Sequence, residues 1–373
     1  MVSTLFVGSE KENLMKKHIV ELDLIRGLCV INIVMIHSTF WSGGAYVPNL
    51  VQSLSLLIDV PAFFFITGAS VAASGKINPL KTIYKMLFYF GICVFVYDLI
   101  AILTTFKGGF HNTLAALTLH NFNTPSFAVF GASYWFVPVF CVVVILCGLI
   151  LQYFQRITHF IGFGFLLVYV VAWVMDFKIN GEFLGVGLQY ILFYAGLYLL
   201  GFWFIAQNLC AIKLGTLLGG LGFVGFVILA FLSKNTDILT LQTYKFAPQL
   251  PYVLASLFGL GILLCIYQLS AQFTRERERE RERESKSRTT KITSVWCKIN
   301  KSLEFAGVNA IYFYIAQGFS SSLLLKIAPH ISLWWGIKLA LCFCINLALC
   351  VGFVYVLKLC FEKTRLVDCI KSK

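Results

Sequence analysis

An all-α membrane bundle of about ten spanning helices, with both termini on the cytoplasmic side, is what three features of the sequence predict. Of the 373 residues 59% are hydrophobic and only 13% charged, about half the charged share of a soluble domain. Apolar windows of spanning length recur ten times. Lys and Arg gather in alternate connections between those windows.

In order, the windows lie near 22–41, 52–74, 82–105, 134–153, 157–175, 187–206, 211–232, 248–270, 303–326 and 333–359. With the N-terminus inside, 24 of the 30 basic residues fall on the cytoplasmic side. Lys107, Lys178, Lys234, Lys245 and Lys326 are assigned outside, and Lys338 falls within the last window. Residues 1–20 read as a cytoplasmic preamble, 21–360 as the membrane domain and 361–373 as a cytoplasmic tail. Met1–Glu10 lacks the basic start of a cleavable signal, so the first span is expected to act as a signal anchor in the cytoplasmic (inner) membrane.

The net charge of +13 is accounted for by basic residues facing an anionic leaflet, so membrane lipids are the expected partner of that charge and nucleic acid is not. The twelve cysteines all fall in windows or on the cytoplasmic side and read as buried apolar residues and reduced thiols. No metal is expected: Cys342 and Cys344 point to different helix faces, and His111 and His120 stand nine residues apart in a connection.

The first window, within Glu21–His37, carries the sharpest signal. Eleven residues on a helix rise roughly 16 Å and return close to the starting direction, so Arg26 and His37 share a face at different depths. A polar, titratable side chain inside a span is costly and ordinarily serves a function there. The plainer reading is packing glue between helices.

Asp-Leu-Ile-Arg-Gly-Leu, with His37 eleven residues after its Arg, resembles the signature of acyltransferase family 3, integral membrane enzymes that acylate cell-surface carbohydrates. The second window, with Asp59, Pro61, Phe63, Phe64, Thr67 and Gly68, resembles the family's next segment, Thr67 standing in the usual Ser place. Lys81 and Lys85 open the third window where the family tends to have a basic residue, which implies contact with the phosphates of acyl-CoA. Positive-inside anchoring is the bland alternative. Ser133-Tyr134-Trp135-Phe136 resembles a Trp-Phe segment of the family, and an interfacial aromatic belt would read the same way. The ninth window, Gly307-Val308-Asn309-Ala310 through Tyr314, resembles a late helix that often ends in His; here Gln317 holds that position. Carried over residue by residue, the resemblance implies Tyr134, Trp135, Asn309, Tyr314 and Gln317 as acceptor-binding candidates.

Of the six histidines only His37 lies deep in a window, and Asp59 and Asp98 are the two acids away from the window ends. Both acids lie roughly 10 Å below the outer surface, near the depth of His37. His37 is therefore expected to be a general base, acting with Asp59 or Asp98 directly on an acceptor hydroxyl or through an acyl-His intermediate. The alternative for the two acids is helix-to-helix hydrogen bonding in protonated form. The resemblance implies acetyl-CoA as donor, bound by Arg26, Lys81 and Lys85, and a carbohydrate or glycolipid acceptor. A proton-coupled transporter or flippase of a lipid-linked sugar is the competing class. The Arg-Glu repeat from Arg275, within a linker spanning 271–301, reads as a solvated linker or helix extension.

Overall fold

The computed structural model describes residues 2–43, 46–105, 109–175, 177, 179, 181–233, 240–283 and 291–363. Lys107, Asp176, Lys178, Lys234 and the tail from 364 lie outside the described residues, as do the side chains of the Arg-Glu repeat.

The chain is helical, and its one sheet among the described residues is a two-stranded antiparallel ladder, β1 (Glu182–Phe183) with β2 (Val186–Gly187). The helices are α1 (Val2–Trp41), α2 (Asn49–Ser55), α3 (Val60–Ser74), α4 (Pro79–Thr105), α5 (His111–Leu117), α6 (Ala128–Ala132) and α7 (Phe136–Phe154). After them come α8 (Thr158–Val174), α9 (Leu188–Ala206), α10 (Ala211–Ser233), α11 (Leu250–Arg283), α12 (Lys291–Val308), α13 (Ala310–Ile327) and α14 (Trp335–Lys363). Among the described residues, seven helical runs are long and apolar enough to cross a membrane, and one of them, Pro125–Val174, contains both α7 and α8. Each of the ten apolar windows is helical, and two of them are broken.

The first break separates α2 from α3. Pro61 has no amide proton and its ring would collide with a carbonyl one turn earlier, so a continuous helix through 52–74 is not available. The chain restarts with Pro61 in the first turn of α3, where no donor is needed. Open carbonyls inside a bilayer must find donors. Asn32 of α1 supplies them, its Nδ2 donating to the carbonyls of Ser55 at 2.8 Å and Ile58 at 2.5 Å. The second break falls at Asn309, between α12 and α13, where its side-chain amide donates to the Phe305 carbonyl at 2.8 Å.

At the two ends the departures are extensions. α1 runs without interruption from Val2, about 60 Å in all, so most of the expected preamble is helix continuous with the first span. The Arg-Glu repeat prolongs α11 as far as Arg283.

α1 packs against α3, α12, α13 and α14 and forms the axis of the bundle. Helices cross where glycines let backbones touch, the packing a bilayer favours because lipid removes the hydrophobic drive between helices. A methyl group at Gly201 of α9 would lie 1.9 Å from the Phe65 carbonyl oxygen of α3, and one at Gly27 of α1 would lie 1.9 Å from that of Leu303 on α12. A polar tie joins α1, α13 and α14: Ser320 donates to Asn346 Oδ1 at 2.7 Å, and Asn346 Nδ2 donates to Ser38 Oγ at 3.0 Å.

Gly201→Ala should lower the apparent melting temperature of the detergent-purified protein by the equivalent of about 1–3 kcal/mol, the usual cost of overpacking. Gly352→Ala, with nothing within 4 Å of the added methyl, should leave it unchanged or slightly raised; equal losses in the two variants would show that close helix contact does not hold the bundle.

Candidate active site

Two cavities adjoin along α1. The first, about 360 Å³, is lined by His37 and Trp41 of α1, Asp59, Trp135, Tyr314 and Gln317, together with Gln242, Lys245 and Phe246 from the segment between α10 and α11. The second, about 500 Å³, is lined by Arg26, Lys81 and Lys85 and by apolar side chains including Phe63, Ile66, Phe140 and Ile311. Ile33, Val60, Phe136 and Tyr314 line both, so these four form a shared wall.

The His37 cavity is marked by polar atoms with nothing to bond to. His37 Nδ1, Asp59 Oδ1, Gln242 Oε1 and both amide atoms of Gln317 are buried without a hydrogen-bond partner in the protein. Buried polar groups are nearly always paired, and each exception needs a reason. Here all five atoms belong to side chains that line one cavity, the arrangement of a site built to receive a polar ligand.

Asp59 stands just before α3 yet makes no capping bond there. Its Oδ2 accepts from Tyr252 Oη at 2.9 Å and pairs with Lys245 Nζ at 2.7 Å. Tyr314 donates to the Ser133 carbonyl at 2.6 Å, which fixes its ring in the shared wall. Trp135 meets Phe246 edge-on, centroids 5.0 Å apart.

In the second cavity Arg26 carries a dense set of contacts. Its guanidinium pairs with Asp23 one turn away, donates to Ser70 Oγ of α3 at 2.6 Å, and reaches the Gly307 carbonyl of α12 at 3.5 Å. Lys81 and Lys85 are exposed at the start of α4. Thr67, from the Phe-rich segment, also lines this cavity while donating to the Phe63 carbonyl at 2.6 Å.

The structure thus brings His37, Asp59, Trp135, Tyr314 and Gln317 together, and Arg26 together with Lys81 and Lys85. Three residues singled out in the sequence are placed elsewhere. Asp98 lines neither cavity: Oδ1 accepts from Asn112 Nδ2 at 2.8 Å, and Oδ2 accepts from the Thr113 amide at 2.9 Å and its hydroxyl at 2.8 Å, holding α5 against α4. Tyr134 is fully buried among Phe90 and Phe122 and donates to the Ala116 carbonyl. Asn309 is spent on the break it occupies.

Sequence reading passed over Lys245, Gln242, Ser70 and Asp23. A signal for Lys245 was present: it is the one charge in Leu241–Tyr252, flanked by Tyr244 and Phe246 and directly preceding an apolar window. Among the described residues no three His, Cys, Asp or Glu side chains cluster as a metal site.

No curated protein and no solved structure matches the chain. A family model described as an acyltransferase domain matches residues 19–356, a span that contains every residue lining the two cavities. With that match over most of its length, the chain belongs to acyltransferase family 3 and is a membrane acyltransferase.

Proposed function

We propose that the chain moves an acyl group, acetyl in the simplest case, from cytoplasmic acyl-CoA to a hydroxyl of a cell-surface or lipid-linked carbohydrate. The observation that carries the reading is the pair of adjoining cavities: three cations line one, His37 and unpaired polar groups line the other, and a single wall separates them. Arg26, Lys81 and Lys85 suit the phosphates of coenzyme A, with Arg26 offering a planar fork and the lysines point charges. The pantetheine arm then extends past Ile33 and Val60 toward His37.

In the His37 cavity, the amides of Gln242 and Gln317 and the rings of Trp41 and Trp135 suit a polyhydroxylated acceptor, offering donors, acceptors and flat apolar faces. His37 takes the proton of the acceptor hydroxyl as its oxygen attacks the thioester carbonyl. The tetrahedral adduct collapses with loss of the coenzyme A thiolate, which recovers that proton from His37. Asp59, in the same cavity, supports the positive charge that the ring holds between the two proton transfers. In this reading the chain crosses the inner membrane ten times with both termini in the cytoplasm.

Three experiments test these points. A reporter placed within Arg275–Lys301 should be cytoplasmic and one within Lys107–Thr124 external; reversed accessibility discards the orientation. Arg26→Ala should raise the KM for acyl-CoA while Arg279→Ala, in the repeat, should not, and equal effects would argue against the phosphate site. For His37→Ala, purified protein should still bind acyl-CoA but release thiol slower by roughly two to four orders of magnitude, the usual worth of a positioned acid-base group. Asp59→Asn should give a smaller loss and Asp98→Asn a smaller one again, because Asp98 is engaged with α5. Turnover unchanged in His37→Ala, or acceptor moved across vesicles with no thiol released, would remove the acyl-transfer mechanism.

A further inference from the structure

We infer that Lys245 is a positioning residue of the transfer site: with Tyr252 it holds one oxygen of Asp59 so that the other is left for His37 and the acceptor. The inference rests on the acyl-transfer reading above and adds to it a residue from a connecting segment.

The two intramembrane acids provide an internal comparison. Both are buried, at 1% and 2% exposure. At Asp98 each carboxylate oxygen has a donor, as expected of a side chain whose task is to hold two elements together. At Asp59 both donors converge on Oδ2, Lys245 at 2.7 Å and Tyr252 at 2.9 Å, and Oδ1 has none. A carboxylate engaged this way has its plane fixed and one oxygen unspent. The cavity that Asp59 lines also holds His37, whose Nδ1 is likewise unpartnered. A polar acceptor bound in that cavity is offered both atoms.

Lys245 is itself expensive to bury. Only 6% exposed, its ammonium has exchanged water for a carboxylate and two aromatic faces, Phe246 at 5.4 Å and Trp135 at 5.7 Å from the ring centroids. Ion pairs of this kind are weak sources of stability, since desolvation offsets most of the attraction. The segment that carries Lys245 is secured on both sides of it: the Leu241 amide donates to Ser53 Oγ at 3.1 Å, and the Gln249 amide to the Tyr244 carbonyl at 2.8 Å. A connection between two spans is thereby made part of the site, presenting Lys245 to Asp59.

The test is a double-mutant cycle on the full-length protein in proteoliposomes, with acetyl-CoA, a glycan accepted by the wild type, thiol release and melting temperature as readouts. Lys245→Met should lower kcat on the order of a hundredfold, the scale of a loss of placement, with the KM for acetyl-CoA unchanged. Lys245→Met combined with Asp59→Asn, which removes the stranded carboxylate, should recover the melting temperature and be no slower than Asp59→Asn alone. Tyr252→Phe, a milder change in the same contact, should lower kcat partway without loss of melting temperature, which keeps the inference testable if Lys245→Met fails to fold. Additive losses in the double variant, or wild-type kcat in both Lys245→Met and Tyr252→Phe, would overturn it. Thiol release lost in His37→Ala but kept in Lys245→Met overturns this inference alone; release unaffected in both overturns the acyl-transfer reading as well.

Discussion

A helix interrupted inside a bilayer must have its open backbone groups answered, and the arrangement of this protein follows from how the break before Pro61 is answered. Water is absent, so donors have to come from neighbouring helices. Asn32 reaches across from α1 to two of the carbonyls, which fixes the break against the same helix that carries His37. Because the chain restarts just after Asp59, that carboxylate is displaced from an ordinary helical face and comes to line the His37 cavity, within reach of Tyr252 and Lys245. A continuous second span would leave no such place for it.

α1 meets the rest of the bundle through ties near each end of the Arg26–His37 interval. On one side Arg26 joins α1 to α3 and α12, and Gly27 lets α12 close in on the backbone. On the other, Ser38, next to His37, bonds to Asn346 of α14, which in turn binds Ser320 of α13. The rise between Arg26 and His37 is therefore held by a frame with contacts at both ends, which would suit the donor proposed above.

Much of the fold was legible because apolar length is a strong signal: every window became helix, and the shared face of Arg26 and His37 follows from helical geometry. The breaks were less so. The window broken at Pro61 is still of spanning hydropathy and the one broken at Asn309 is less apolar than those beside it, and only the Pro has a local cause that a sequence displays. The candidate site was legible where chemistry and helix phase agree, as at Arg26 and His37, and Asp59 came to it through the break before α3. It was not where direction depends on packing. Tyr134 and Trp135 are adjacent in sequence, yet one enters the core and the other the cavity. Asp59 and Asp98, equal in depth by counting, differ because α5 folds back onto one of them. Lys245 was assigned by charge bookkeeping to an outer connection, and a count of charges carries no information about a segment that turns inward.

The wall that the two cavities share has a consequence for the membrane itself. If one substrate enters from each face, as proposed above, two chambers come close to a continuous pore, and a pore would discharge the ion gradient that a membrane holds. Ile33, Val60 and Phe136 with the tethered Tyr314 line both cavities as a mainly hydrocarbon boundary, and a hydrocarbon constriction is one from which water withdraws and which hydrated ions do not cross. A slender thioester arm loses little by entering such a gap, whereas a sodium ion or proton would forfeit its hydration there. On that proposal, the four side chains shared by the two cavities serve as electrical insulation as well.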